Sequence, residues 1–221
     1  MLQADPATLI PQDPGRQRQA LLDLLRLEPR GAAQREEQRL VALIVALERS
    51  MPADLAAAGS LDLLEGVWEL RWSSGRQPYL AVGPWLENLQ LLAPSQGRGM
   101  NLLRLPGPLG PLAGIAVEAS IGVESSGPAP RQRVQVRFRR GGWLGPALGT
   151  GRLQLLRKVR QSFPAWLDIT VLDAELRICR GNAGTLFALL RRPDLSLQAL
   201  LLPAEQALDP RPASDQLNGT D

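Results

Sequence analysis

The stretch Val171-Leu-Asp-Ala-Glu-Leu-Arg-Ile-Cys-Arg-Gly-Asn-Ala-Gly-Thr-Leu-Phe-Ala-Leu-Leu190 governs how this chain folds. Leu176 and Ile178 alternate with Glu175, Arg177 and Cys179, the period of a strand with one dry face and one wet face. Gly181, Asn182 and Gly184 follow, residues that accept positive φ at little cost and so supply a tight turn. Thr185 to Leu190 then reads as the returning strand, which makes a β-hairpin with two arginines on its first arm. Asp173, just ahead of that arm, is placed to cap the turn through its side chain.

The same period recurs upstream. From Glu65, Trp68, Leu70 and Trp72 face one way, while Val67, Glu69 and Arg71 face the other. Further strands are expected at 89–92, 99–105, 115–124, 131–140, 152–160 and 166–172, the cleanest setting Val134, Val136 and Phe138 against Arg133, Gln135, Arg137 and Arg139. Strands with short turns and no long helix between them predict a mainly β (α+β) chain, an antiparallel barrel that is closed or nearly so.

Ahead of the strands, 16–27 carries Leu21, Leu22, Leu24 and Leu25, and Pro29-Arg30-Gly31 breaks that helix. A second helix over 32–50 places Leu40, Leu43, Ile44 and Leu47 on one stripe, with Glu36 and Glu37 early and Arg49 late, as the helix dipole favours. Packing of this pair on the sheet is favoured over a membrane-surface role, since a surface helix is usually more basic on its polar face. The expected organisation is a flexible leader over 1–15, a helical segment over 16–60, the barrel over 61–192 and a largely disordered tail over 193–221. Two expected connections, 105–114 and 141–149, are apolar as well as rich in Gly and Pro. They suit either packing on neighbouring strands or a greasy rim, where Trp143 and Leu144 would touch a membrane.

Composition removes several functions. Apolar residues make up 44% of the chain, enough for a real core. The sequence pI of about 9.9 suggests nucleic acid, yet 25 basic against 22 acidic residues leave only +3. The high pI arises because every base but Lys158 is arginine, so no nucleic-acid role is expected. Zero histidine excludes His-based triads and His-ligated metals, and no phosphate loop, dinucleotide fingerprint or nucleophile elbow occurs. Asp173 and Glu175 lie two apart, but spacing along a hairpin does not make a catalytic pair. No enzymatic activity, metal or cofactor is therefore expected. The single cysteine, Cys179, fits a reducing compartment and a small wall residue. No segment resembles a signal peptide or a membrane-spanning run, so a soluble, intracellular chain is expected.

Two resemblances sharpen this. Gly66-x-Trp68 on a first barrel strand resembles the lipocalin and fatty-acid-binding pattern, in which a tryptophan closes the barrel floor and a late arginine crosses its ring. Arg180 shares parity with Leu176 and Ile178, so it is the expected partner of Trp68, with Arg177 next. The spacing Leu-Asp-x-x-Leu-Arg-Ile-x-Arg-Gly-x-x-Gly-x-Leu-Phe from Leu172 to Phe187, together with Leu-Glu-Gly66-Val-Trp68-Glu-Leu-Arg-Trp, resembles the plastid lipid-associated protein (PAP)/fibrillin family. The helical segment ending in Leu47-Glu-Arg-Ser-Met-Pro52 is similar to that family's leucine-rich region, and the stretch 73–91 looks like cyanobacterial members. Val171 stands where the family commonly has Tyr, and Cys179 where it commonly has Ser.

The resemblance implies a lipocalin-like barrel at thylakoid membranes or lipid globules of a photosynthetic bacterium, holding isoprenoids such as carotenoids or prenylquinones. A lipid or isoprenoid is thus the expected ligand, with peripheral membrane contact and no identified protein partner. By parity, Trp68, Leu70, Trp72, Val134, Val136, Phe138, Leu176, Ile178, Arg180, Phe187 and Leu189 point inward, a lining that suits an apolar guest or a filled core equally. Gly66, Asp173, Arg177, Gly181 and Gly184 are the expected structural positions of the two motifs. The rival function is a non-catalytic coat or adaptor with a filled barrel.

Overall fold

A computed structural model describes residues 10–124, 128–148, 151–162 and 164–202. Nine antiparallel strands form one sheet: β1 (Gly66–Ser73), β2 (Glu87–Ala93), β3 (Arg98–Arg104), β4 (Gly114–Val123), β5 (Arg133–Leu148), β6 (Gly151–Lys158), β7 (Ala165–Leu172), β8 (Leu176–Gly181) and β9 (Leu186–Arg191). Their order is β4-β3-β2-β1-β9-β8-β7-β5-β6, and β4 also pairs with β5. That last pairing closes a ring of eight strands, leaving β6 outside it. The two halves of β5 share one edge: Arg133–Val136 pairs with β7, and Arg140–Leu148 pairs with β6. The expected connection over 141–149 is thus mainly strand, because its glycines continue the β5 ladder instead of turning.

The expected helices are present as α1 (Pro14–Leu25) and α2 (Glu37–Ser50), with a single 3₁₀ stretch over Ala32–Glu36 between them. Asp13 caps α1 by accepting from the Arg16 amide at 2.8 Å, with Pro14 in the first turn. The leucines of both helices pack on Trp72, Val171, Leu176, Ile178 and Ala188, the outer face of β1 and β7–β9. A further short helix, α3 (Ser60–Leu64), seals one end of the barrel. The chain leading to it is pinned by backbone bonds from Ala53 to Thr170 (2.9 Å) and from Leu55 to Arg131 (2.7 Å). After β9, part of the expected tail folds instead as α4 (Leu197–Leu200), and Leu197 and Leu202 are buried on the outer face of β1–β4. Apolar residues at 195, 197 and 200–202 find a bare sheet face there, which outweighs the polar bias of the segment as a whole. The rest of that tail, and residues 1–9 of the leader, lie outside the described residues.

The helical pair is anchored to the decisive hairpin. Arg18 of α1 donates to both Asp173 oxygens (2.6 and 2.9 Å) and to Glu175 (3.0 Å), and Arg26 reaches Glu175 at 2.7 Å. Asp173 also accepts from the amides of Glu175 and Leu176, the turn-capping role expected of it. Burial pushes the Asp173 carboxyl up, but Arg18 and those amides outweigh it and hold the group below its ordinary value. Arg18 likewise lowers Glu175. A carboxylate depressed on folding adds stability that is present above its unfolded-state value, about 3.9 for Asp and 4.3 for Glu, and loses it as pH falls through the folded value. With no histidine, no side chain of ordinary pKa titrates between pH 6 and 8. The melting temperature should therefore stay level from about pH 6 to 8 and fall below about pH 4, a fall that Arg18→Ala makes smaller. A stability transition near neutral pH would contradict this account.

Candidate functional site

At the sealed end, Trp68 and its arginines form the barrel floor. Trp68 is fully buried and donates its indole N–H to the Leu64 carbonyl at 3.0 Å, which ties the floor to the end of α3. Two guanidinium groups cross the ring, Arg191 at 4.5 Å and Arg177 at 5.2 Å from its centroid. Arg191 also donates to the carbonyls of Leu63 and Glu65, capping the C-terminus of α3. Gly66 makes room for this: a Cβ there would lie 2.5 Å from Arg191 Nη1, and its φ of +145° suits glycine.

Arg180, the expected partner of Trp68, is not there. It shares parity with Leu176 and Ile178, but that face points outward under the helices, and Arg180 instead pairs with Glu48 of α2 at 2.8 Å. Arg177 and Cys179 hold the inner positions, opposite Leu189 and Phe187. Arg177 has no exposed surface; it donates to Gln90 Oε1, while its Nε and Nη1 lack a partner among the described residues. Burial raises the Cys179 thiol, which keeps it neutral and unreactive. Trp72 is also outside, because the ladder slips at Arg71 and turns the next residue over. Gly181 ends β8 and Gly184, at φ +76°, completes the expected turn.

Trp68, Leu70, Val134, Phe187 and Leu189 do face inward, joined by Leu55, Leu64, Ile121, Ile169 and Cys179. Trp68, Leu70, Leu189, Ile169 and Cys179 are at most 1% exposed, so no internal space reaches them. The floor half of the barrel is filled.

Space opens where β5 loses its partner between β7 and β6. An open lateral cleft of about 760 Å³ there has a mixed lining, apolar at Ile121, Val136, Phe138, Val159, Pro164 and Ala165 and polar at Ser120, Gln135, Arg137, Gln161 and Ser162. Gln161 bridges the gap in the wall, accepting from the Phe138 amide at 2.7 Å and donating to the Val136 carbonyl at 3.3 Å. Val136 and Phe138, expected in a central cavity, therefore stand half-buried at this side opening. Periodicity gave no sign of it, since the gap arises from β6 and β7 sharing one edge of β5.

The second apolar surface is the inner face of the sheet beyond the ring. Leu103, Ile115, Trp143 and Leu155 are direct cross-strand neighbours on β3 to β6. Ile115, Trp143 and Leu155 are 56%, 44% and 62% exposed, as a row of paired core residues would not be. Leu144, expected beside Trp143 at a membrane, is buried on the opposite face with the α4 cluster, because neighbours in a strand alternate sides. Three leucines of the β3–β4 connection, Leu105, Leu109 and Leu112, are exposed at the same end. Arg152 holds that connection to β5, donating to Gly145 O at 2.7 Å and Pro111 O at 3.4 Å.

An eight-stranded antiparallel ring with a Gly-x-Trp floor crossed by late-strand arginines is a lipocalin-like barrel. The PAP_fibrillin family model matches residues 16–190, and the chain belongs to that family of plastid lipid-associated proteins. No curated protein and no solved structure matches it. No helix among the described residues is long and apolar enough to cross a membrane.

The floor is open to a direct comparison. Arg177→Ala should cost about 3 kcal/mol or more, since it empties a buried site and breaks the contact with Trp68. Arg180→Ala, which removes a partly exposed ion pair, should cost about 1 kcal/mol or less. Urea midpoints would rank the two, and the reverse order would restore Arg180 to the floor. Gly66→Ala should also destabilise by about 1–3 kcal/mol through its clash with Arg191.

Proposed function

We propose that the chain is a non-enzymatic, peripheral lipid-associated protein that holds an apolar molecule in the lateral cleft beside β5. The molecule is an isoprenoid, such as a carotenoid or prenylquinone, or a lipid chain, and the site of action is a thylakoid or lipid-globule surface in a photosynthetic cell. The cleft carries this conclusion: about 760 Å³ is a ligand-sized volume, one wall continues the inner face of the barrel through Ile121, Val136 and Phe138, and Ser120, Gln135, Arg137, Gln161 and Ser162 supply polar groups for a guest with a polar end. Family membership supports the lipid association. The absence of histidine agrees with a binding role.

One observation favours a second reading, a coat or adaptor without cargo. The floor half of the barrel is filled, so a guest has only the side opening to occupy.

Native purification from source cells, organic extraction and mass spectrometry test the first against the second. The expected result is a near-stoichiometric isoprenoid or lipid. Phe138→Glu, at a half-buried position, should lower that load by about tenfold by placing a charge in the cleft, with little change in melting temperature. An extract empty of lipid, from protein that still sediments with membranes, would replace the cargo role with the coat role.

A further inference from the structure

We propose that the β5–β6 ribbon is the docking element of the molecule and that it docks on the anionic headgroup layer of a lipid bilayer. This deepens, and rests on, the lipid-associated reading above. Between Glu124 and Asp168 the chain has no acidic residue, although it carries eight arginines and its only lysine there. A chain of net charge +3 thus concentrates a +9 segment in one ribbon and its flanks. Some of those cations are occupied: Arg133 pairs with Asp168 and Arg140 with Glu118. Arg137, Arg139, Arg157, Lys158 and Arg160 are exposed, with no ion pair among the described residues.

Their placement matches a membrane interface. The distal half of the ribbon bears Trp143, Leu153 and Leu155, exposed on the sheet face that α4 leaves uncovered. The unpaired cations form a collar behind them, with Arg157 on the same face as Leu155 and opposite Gly141. Leu153 and Arg157 are four residues apart, about 13 Å along a strand. Amphipathic elements seat their apolar side about 5–10 Å below the headgroups, so a tip at that depth brings the collar to the phosphate level. Arg152 clamps the leucine-rich β3–β4 connection to β5, and Trp143 lies over Gly145, where a Cβ would sit 2.2 Å from the ring. One lysine or arginine on an edge strand serves to block strand pairing. Five cations behind an exposed tryptophan exceed that need, and their charge selects an anionic surface over a neutral one.

The test is co-sedimentation of the full chain with vesicles of phosphatidylcholine alone or with about 30 mol% phosphatidylglycerol, at about 50 and 500 mM salt. Binding should be at least about tenfold tighter to the anionic vesicles and should weaken at high salt. The triple change Arg157→Glu, Lys158→Glu and Arg160→Glu should reduce it about a hundredfold or more, at an unchanged melting temperature. Trp143→Ser should weaken binding to both vesicle types. Equal affinity for both, indifferent to salt and to the charge reversals, would overturn the anionic docking and leave the lipid-associated role standing. So would a native extract rich in isoprenoid from a protein with no vesicle affinity. Capture by DNA or by an acidic protein without vesicle binding, or a stable dimer that shields Trp143, would equally overturn it.

Discussion

Two buried glutamates hold the architecture in register. Glu69 of β1 and Glu87 of β2 are 3% and 1% exposed, a place that no unpaired carboxylate could occupy. Arg30, from the break between α1 and α2, reaches both; Arg192, just past β9, donates to Glu69 at 3.0 Å and to Glu87 at 2.9 Å; and Arg104 of β3 donates to Glu87 at 2.8 Å. Arg71 lies 3.6 Å from Glu69 and donates to the Leu25 carbonyl at 2.8 Å, at the end of α1. The helical pair, three strands and the segment that becomes α4 therefore meet at one ion cluster. Buried pairs of this kind are weak net stabilisers but costly to break, about 3–5 kcal/mol when one partner is lost. In this arrangement of helices and sheet neither carboxylate is left without a guanidinium partner.

The cluster also decides which sheet surfaces are covered. Helices α1 and α2 take the outer face of β7–β9, and α4 takes that of β1–β4. Both are secured through Glu69 and Glu87, from Arg30 on one side and Arg192 on the other. With both outer faces covered, apolar side chains stay exposed on the inner face beyond the ring and beside the β5 gap, and also at Tyr79 and Trp85 between β1 and β2.

Much of the frame was legible in the residues. Period-2 alternation located every strand, and the leucine stripes located both long helices, because each element buries a face of fixed periodicity. What misled was the meaning of a dry face. Leu176 and Ile178 are apolar because α1 and α2 cover them, so their parity assigned Arg180 inward and Arg177 outward, the reverse of the structure. Trp72 fell to a second cause, the extra residue at Arg71, which flips parity midway along β1 and leaves no trace in composition. A third was the glycine run in β5, which signals a turn by propensity yet serves a long strand. The Glu69 and Glu87 cluster was hidden for a plainer reason. Its partners are up to 123 residues apart, and Glu69 alternates with apolar residues as any wet-face residue would.

The two ends of the barrel use arginine in opposite ways, and the contrast argues for a functional division. At the sealed end, Arg177, fully buried, and Arg191, half-buried, are drawn over Trp68, and Arg191 joins β9 to α3 through the Leu63 and Glu65 carbonyls. There the cation serves packing, through its ring contacts and its bonds to carbonyl and amide oxygens. On the β5–β6 ribbon and just past it, Arg137, Arg139, Arg157, Lys158 and Arg160 stay exposed, with no ion pair among the described residues, and sit behind exposed apolar side chains. The fold pairs both carboxylates of Glu69 and Glu87 with guanidinium while leaving this collar without a counter-charge. A negative surface outside the molecule supplies what the chain omits.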